Sequence, residues 1–481
     1  MPAAPEPDAG ATAWSFDVFA ERLGYLVIFA IACFAPTEAD TFWMLRAGRD
    51  FWHTGHLPFH EHYSYTAAGR DWPNHEWLWE VLAYPLHQFG GMPLLNLVNA
   101  TLLTGAVFIA ARLTTHRGIG RFVVIVSSLV LLAPEASLRP QVASLFLFAL
   151  TMLLVARERY LLLIPLFLVW ANLHAAVATG GLVLVAASAA AVGHAALSRT
   201  QASRTRAVRL VLATAGAGAI TLVNPMGVGL WTYVATSHAR SKADHIQEWT
   251  ATFHVLRPDT VVFAVLVCMS LLLASRRWRR LDTWALVVPS VAALATLPLA
   301  IDAIRNLAVF QLALIAPLIE MTRAEHPRAS STVARPRIAL ATAGAVVGVI
   351  VAVAWSRPLP RLGWQPMDSG EVAALHRCAG RVYATYGSAG YVEWYSPDTL
   401  VFVDSRQDPY PRNVLDEART LESTGRFEHV FSRYHVTCAV LDPRATTLAR
   451  SLDRAGWRVV ASTSDSAVYE APGSPRGVAS D

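Results

Sequence analysis

The chain has 481 residues, with 40 Lys and Arg against 35 Asp and Glu, and only 16% of its residues are charged while 54% are hydrophobic. Soluble domains carry about 25% charged residues, so this composition and a mean hydropathy of +0.37 exclude an ordinary soluble protein. The pI near 9.1 arises from Arg-rich connections between apolar runs, so the basic balance implies no nucleic-acid partner.

The first 18 residues are acidic and Pro/Ala-rich and show no cleavable signal, which reads as a cytoplasmic segment. A membrane domain is expected over 19–356. It repeats apolar runs near 19–36, 93–112, 121–136, 142–156, 160–173, 175–197, 208–224, 259–274, 282–301, 307–321 and 338–355. Several reach the roughly 17–25 residues that a spanning helix needs. The expected fold is therefore an α-helical polytopic membrane protein of about eleven spans.

The first run ends at Glu38-Ala39-Asp40, which opens an outer loop over 37–92 dense in Trp, His and Arg. Carboxylates at a membrane boundary are costly unless solvated, paired or used. Pro36 favours a non-helical exit. Glu38 and Asp40 share a face only on extended backbone. There they could converge on one hydroxyl or one hard divalent cation. Two carboxylates alone make a weak metal signature, so the cofactor stays open and no metal site is assigned. The aromatic residues of the loop, including Phe42, Trp43, Trp72, Trp77 and Trp79, fit an interfacial belt or a face for sugar rings. The segment from His75 to Leu86 fits an amphipathic helix in the headgroup plane.

Arginine-rich connections recur around 112–121, 157–159, 199–209, 276–280 and 323–337, and the connections between them hold few arginines. The positive-inside rule puts the Arg-rich set in the cytoplasm. The N-terminus is then inside and everything after about 356 outside, in an inner (plasma) membrane. The outer connections gather Glu38, Asp40, Asn74, His75 and Glu76, then Arg139, Asn172, His174 and Asn224. His238, His245, Glu248 and His254 follow, then Asp302, Arg305 and Asn306. Helix capping accounts for single members of this set. It accounts less well for the whole, because the inner connections are nearly pure Arg. Lys242 is the only lysine, a feature of coding bias more than of function.

After about 357 the pattern changes. Strand-like runs at 381–385, 399–404, 438–442, 457–462 and 467–470 alternate with helix-like stretches near 412–422 and 445–455. This predicts a small extracytoplasmic α/β domain over 357–475, followed by a disordered tail at 476–481. Residues 1–14 and 472–481 read as disordered ends. Cys378 and Cys438 lie on the oxidising side and could pair, whereas Cys33 and Cys268 fall in spans as packing residues.

The inner N-terminus, single span and large outer loop opening with an acidic Glu-x-Asp motif resemble the GT-C superfamily of membrane glycosyltransferases. The resemblance is closer to a bacterial multispan group related to the protein mannosyltransferase-like branch. It runs through Asp40-Thr41-Phe42-Trp43-Met44-Leu45-Arg46-Ala47-Gly48, Asn74-His75-Glu76-Trp77-Leu78 and Leu138-Arg139-Pro140-Gln141. It continues through Trp170-Ala171-Asn172-Leu173-His174, Asn224-Pro225-Met226-Gly227, Arg305-Asn306, Gly390-Tyr391 and Val403-Asp404-Ser405-Arg406. Met44 stands where that group commonly has His, and Ala389 and Ser405 stand where Gly is usual.

The resemblance implies a lipid-linked (polyprenyl-phosphate) sugar donor and transfer to an acceptor hydroxyl on a glycan, lipid or protein. Phosphate leaves without a general acid, so one base suffices. Asp40 would be that base, assisted by Glu38, with His75 and Glu76 in the catalytic set. Arg139 and Arg305 would hold the departing phosphate, with His75 and His174 as helpers. Asn172, His174, Asn224 and Asn306 would complete substrate binding. Two other classes stay open: a multispan transporter or flippase, and a non-catalytic assembly protein for envelope glycans.

Overall fold

The computed structural model describes residues 14–243, 246–254, 256–323, 332–333, 335–356 and 362–473. His245 and most of the expected disordered ends at 1–14 and 472–481, namely 1–13 and 474–481, lie outside the described residues. Every apolar run is helical. Helices α1 (Phe16–Ala32), α2 (Ala39–Thr54), α3 (Trp77–Ala111), α4 (Ile119–Ser127), α5 (Leu129–Leu132), α6 (Pro140–Ala156) and α7 (Leu163–Leu173) lead. They are followed by α8 (Val177–Ser198), α9 (Gln201–Ile220), α10 (Gly229–Ala243), α11 (Pro258–Arg277), α12 (Trp284–Asp302), α13 (Leu307–Met321) and α14 (Pro336–Trp355). Among the described residues six helices are long and apolar enough to cross a membrane, and two shorter apolar helices accompany them. The chain is a multipass membrane protein. The run expected to span at 121–136 is divided at Ser128 between α4 and α5.

Helix α3 holds 35 residues, about 52 Å at 1.5 Å per residue, more than one crossing needs. Gly91 breaks it with φ 62° and ψ −160°, a conformation that glycine adopts without steric penalty. The break separates the stretch that begins at Trp77 from the apolar remainder. Helix α13 is almost wholly buried in the bundle, whereas α14 buries only Pro336 and Val351. A short ladder pairs β1 (Trp14–Ser15) with β2 (Thr332–Val333).

The bundle has two chemically distinct ends. At one, Arg121 Nε lies 3.0 Å from Glu21 Oε1. There Thr114 Oγ1 donates to Glu320 Oε2 at 2.7 Å, and Arg277 and Arg280 both donate to the carbonyl of Arg323. At the other end lie the acidic exit and His75, His174 and His238.

The C-terminal segment forms helices α15 (Ser369–His376), α16 (Ala389–Tyr395), α17 (Arg412–Thr424), α18 (Glu428–Tyr434) and α19 (Thr446–Arg454) around one sheet. The sheet comprises β3 (Arg381–Ala384), β4 (Val436–Leu441), β5 (Arg458–Ser462) and β6 (Ala467–Glu470), in the order β3-β4-β6-β5. Strands β3 and β4 are parallel; the other pairs are antiparallel. Residues 399–404, expected as a strand, do not join this sheet. Val401 pairs instead with the first outer loop, donating to Tyr63 O at 3.0 Å and accepting from Tyr65 N at 3.1 Å. Cys378 and Cys438 form a disulfide; Cys33 is buried, and Cys268 lies exposed on α11.

The loop aromatics are mostly core, a use beyond the two expected for them. Phe42, Trp43, Tyr63, Trp72 and Trp79 are buried and share one apolar cluster with Trp364, Tyr391 and Val401 of the C-terminal segment. Burial of such rings stabilises by roughly 1.5–3 kcal/mol each. Membrane exit, outer loop and C-terminal segment are thereby packed as one unit. Trp52, also in this region, is largely exposed.

Candidate active site

After a turn at 33–34 the exit is held by the end of α14 and by the C-terminal segment. Trp355 and Trp364 donate their indole N–H to the carbonyls of Cys33 and Ala35, both at 3.1 Å, and Thr37 N donates to Leu362 O at 2.8 Å. Glu38 keeps extended geometry (φ −131°, ψ 171°) as the residue before α2, and its N–H meets Thr41 Oγ1 at 3.4 Å. Asp40 falls in the first turn of α2, where the helix dipole favours an anion.

Both acids turn to one cation. Arg139 NH1 lies 3.0 Å from Asp40 Oδ2 and 3.4 Å from Glu38 Oε2. Arg139 precedes Pro140 at the start of α6, and the proline restricts it to extended backbone (φ −124°, ψ 166°) that aims its side chain off the helix. Its NH2 donates to Glu248 Oε1 at 2.7 Å, and Nε to Ser137 Oγ at 2.9 Å. Burial opposes the charge on Arg139, but Glu248, Glu38 and Asp40 outweigh it and raise its pKa well above the usual value. Glu248 is the counterpart. Burial acts to raise its pKa, yet Arg139 and then Arg305 hold it below the ordinary range.

Glu248 also reaches the second expected arginine, with Arg305 NH1 3.8 Å from Oε2. The Arg305 guanidinium lies over the Trp249 ring, 4.5 Å from its centre. Trp249 in turn meets His238 edge-on at 5.1 Å, and His238 and Lys242 both bind Asp302. These side chains form a partly exposed polar rim. His254, from the same connection, is exposed apart from it.

A second chain of polar groups lies beside the first. His174 ends α7 on extended backbone; its Nδ1 pairs with Ser144 Oγ at 2.8 Å and its Nε2 lies 3.4 Å from Glu76 Oε1. Glu76 Oε1 is also 3.6 Å from His75 Nδ1, and His75 Nε2 meets Tyr233 OH of α10 at 2.7 Å. Tyr233 donates onward to Asp408 Oδ2 at 3.1 Å. Burial, with Arg305 nearby, pushes His75 down to about 3 and His174 well below its usual range. Burial also raises Glu76 far above the carboxylate range. Burial thus disfavours the charged form of all three.

The asparagines serve the backbone. Asn172 donates to the carbonyls of Leu168 and Val223, both at 2.8 Å, and accepts from Trp77 Nε1 at 3.2 Å. Asn224 closes its own turn by accepting from Met226 N at 2.7 Å. Asn306 donates to Leu299 O at 3.1 Å. None of the three bonds to the acidic cluster.

Three participants carry no role legible in the sequence. Glu248 stood out only as one polar residue of an outer connection. Tyr233 sits in a helix carrying no acidic or basic signal at that position. Ser405 donates its hydroxyl to Asp40 Oδ1 across 365 residues of chain, although its motif was already visible. Trp43 Nε1 donates to the same oxygen at 3.1 Å. Among the described residues no group of three or more His, Cys, Asp or Glu is arranged to hold a metal. The Arg139 guanidinium lies against both Glu38 and Asp40, the position a divalent cation would need.

No protein-family model matches the chain, and no curated protein matches it by sequence. Solved structures do match by fold. The archaeal oligosaccharyltransferase AglB from Archaeoglobus fulgidus, in complex with an inhibitory peptide and a dolichol-phosphate, superimposes with a TM-score of 0.52 at 11% identity. The match covers 89% of this chain and 70% of that one. The Archaeoglobus fulgidus oligosaccharyltransferase tethered to an acceptor peptide gives 0.50 at 11% identity, covering 88% and 69%. ArnT from Cupriavidus metallidurans in the apo state gives 0.49 at 12%, covering 94% and 97%. The chain shares its overall fold with the two oligosaccharyltransferase structures.

Proposed function

We propose that a chain with this fold is a membrane glycosyltransferase that moves a sugar from a polyprenyl-phosphate donor to an acceptor hydroxyl at the outer face, with inversion. The observation that carries the reading is the Asp40 carboxylate, fixed by Arg139, which also binds Glu248 beside Arg305. Asp40 takes the acceptor proton, and Glu38 shares the cation that orients it. Arg139 is committed to three carboxylates, so it serves Asp40 more than the donor. Arg305 is the cation for the departing phosphate, with His238 and Lys242 behind it, because planar guanidinium suits bidentate phosphate contact. The match to a protein complexed with a dolichol-phosphate supports a lipid-linked donor.

The test is turnover by purified protein in lipid nanodiscs given polyprenyl-phosphate mannose or glucose. Asp40→Asn keeps the shape but cannot take the proton, and should lower turnover about 10²–10⁴-fold. Glu38→Gln should cost much less. Full activity of Asp40→Asn refutes the assignment. Transport of a soluble solute into proteoliposomes, with no donor consumed, favours the transporter reading.

A further inference from the structure

The segment 404–408 of the C-terminal part reaches the helical part at two points, the membrane exit and α10. Ser405 donates to Asp40 Oδ1, and three residues on Asp408 accepts from Tyr233. Between them Arg406 anchors the segment. It binds Asp404 and lies 2.5 Å from Glu61 Oε2 of the first outer loop, with its guanidinium over Trp72 at 4.5 Å and Tyr63 at 4.8 Å. Gln407 holds a left-handed backbone (φ 60°) and donates to Tyr386 OH at 2.6 Å. Tyr386 OH donates to Ser405 O at 2.9 Å. The backbone at Ser405 is thus pinned on both sides, so its hydroxyl is preorganised.

A carboxylate offers roughly four lone-pair sites. On Asp40 the indole of Trp43 and the hydroxyl of Ser405 take two on Oδ1, and Arg139 takes one on Oδ2. We propose that Ser405 is a positioning residue for the transferase reaction: its bond to Oδ1 turns the Asp40 carboxylate so that Oδ2 receives the acceptor proton. This rests on Asp40 acting as the base. In the step it serves, the acceptor O–H proton passes to Oδ2 and the acceptor oxygen bonds the anomeric carbon. The anomeric C–O bond to phosphate breaks, and polyprenyl phosphate leaves with the electron pair. The C-terminal segment, far away in sequence, then completes the site at the membrane exit.

The experiment compares wild type, Ser405→Ala and Ser405→Thr in nanodiscs with polyprenyl-phosphate mannose or glucose as donor. Water, a methyl glycoside and a Ser/Thr peptide serve as acceptors. A hydrogen bond to a charged group is worth enough to predict a kcat loss of roughly 10–100-fold in Ser405→Ala. Donor binding and melting temperature should stay at wild-type values, and Ser405→Thr should recover most of the rate. Unchanged kcat in Ser405→Ala overturns the proposal. So does a raised kcat or lowered acceptor KM, because the hydroxyl would then be blocking the acceptor's place. A fall in melting temperature and donor binding without rescue by Thr marks a structural role and overturns it as well. If wild type consumes neither donor, the transferase reading fails first and this role falls with it; if wild type turns over and only the Ser405 outcomes fail, the transferase reading stands.

Discussion

Glu422, on α17, illustrates how burial sets charge at the scale of one residue. Its Oε1 accepts from Tyr386 N at 3.0 Å and Tyr383 OH at 3.1 Å. Burial outweighs these bonds and raises its pKa from 4.5 to about 7. Between those values the folded state keeps a proton that the unfolded chain has lost. Stability therefore falls as pH rises through the window, and the cost is complete above 7. Glu422→Gln keeps an acceptor without the charge. It should melt higher than wild type at pH 8 and near wild type at pH 4.5. A wild-type-like decline of the variant's melting temperature across that range would refute this account. The same physics disfavours the charged forms of His75 and His174 at the candidate site, which residue type alone could not reveal.

At the scale of elements, close backbone approaches place α2. A Cβ on Gly390 of α16 would lie 2.1 Å from Ala39 O, next to Asp40, and one on Gly48 would lie 2.2 Å from Glu80 O of α3. Backbone cannot yield cheaply at such distances. Gly390→Ala should push α16 off α2, destabilise by about 1–3 kcal/mol and lower turnover by disturbing the exit. Gly344→Ala on exposed α14, where a Cβ meets nothing within 4 Å, should leave both near wild type. Thermal melting in detergent together with donor consumption checks the pair, and a Gly390→Ala protein that melts like Gly344→Ala contradicts the packing argument. Most helices were legible from apolar runs. The α16–α2 crossing was not, because a seven-residue helix carries little periodicity of its own.

For the whole molecule, the two chemically different ends of the bundle imply an orientation. We expect the Arg-rich end in the cytoplasm and the C-terminal segment outside. A periplasm-active phosphatase fused after Ser356 should be active and one fused at Arg277 silent, and the opposite pattern reverses the topology. The Cys378–Cys438 disulfide supplies an independent check: those thiols should resist alkylation in cells unless a reductant is added first.

By itself the sequence determined the membrane class, the helical runs, the sorting of polar groups to one end and the acidic motif at the first exit. Each follows from local composition and spacing, which act over a few turns of helix or one loop. Only the tertiary structure decided that Arg139 binds Glu38, Asp40 and Glu248 together, that the loop aromatics are core, and that Ser405 reaches Asp40. It also decided that Asn172, Asn224 and Asn306 hold backbone. Those outcomes depend on which groups, tens to hundreds of residues apart, are desolvated together, and the free energy of a buried charge or hydrogen bond is set by that shared environment and not by its neighbours along the chain.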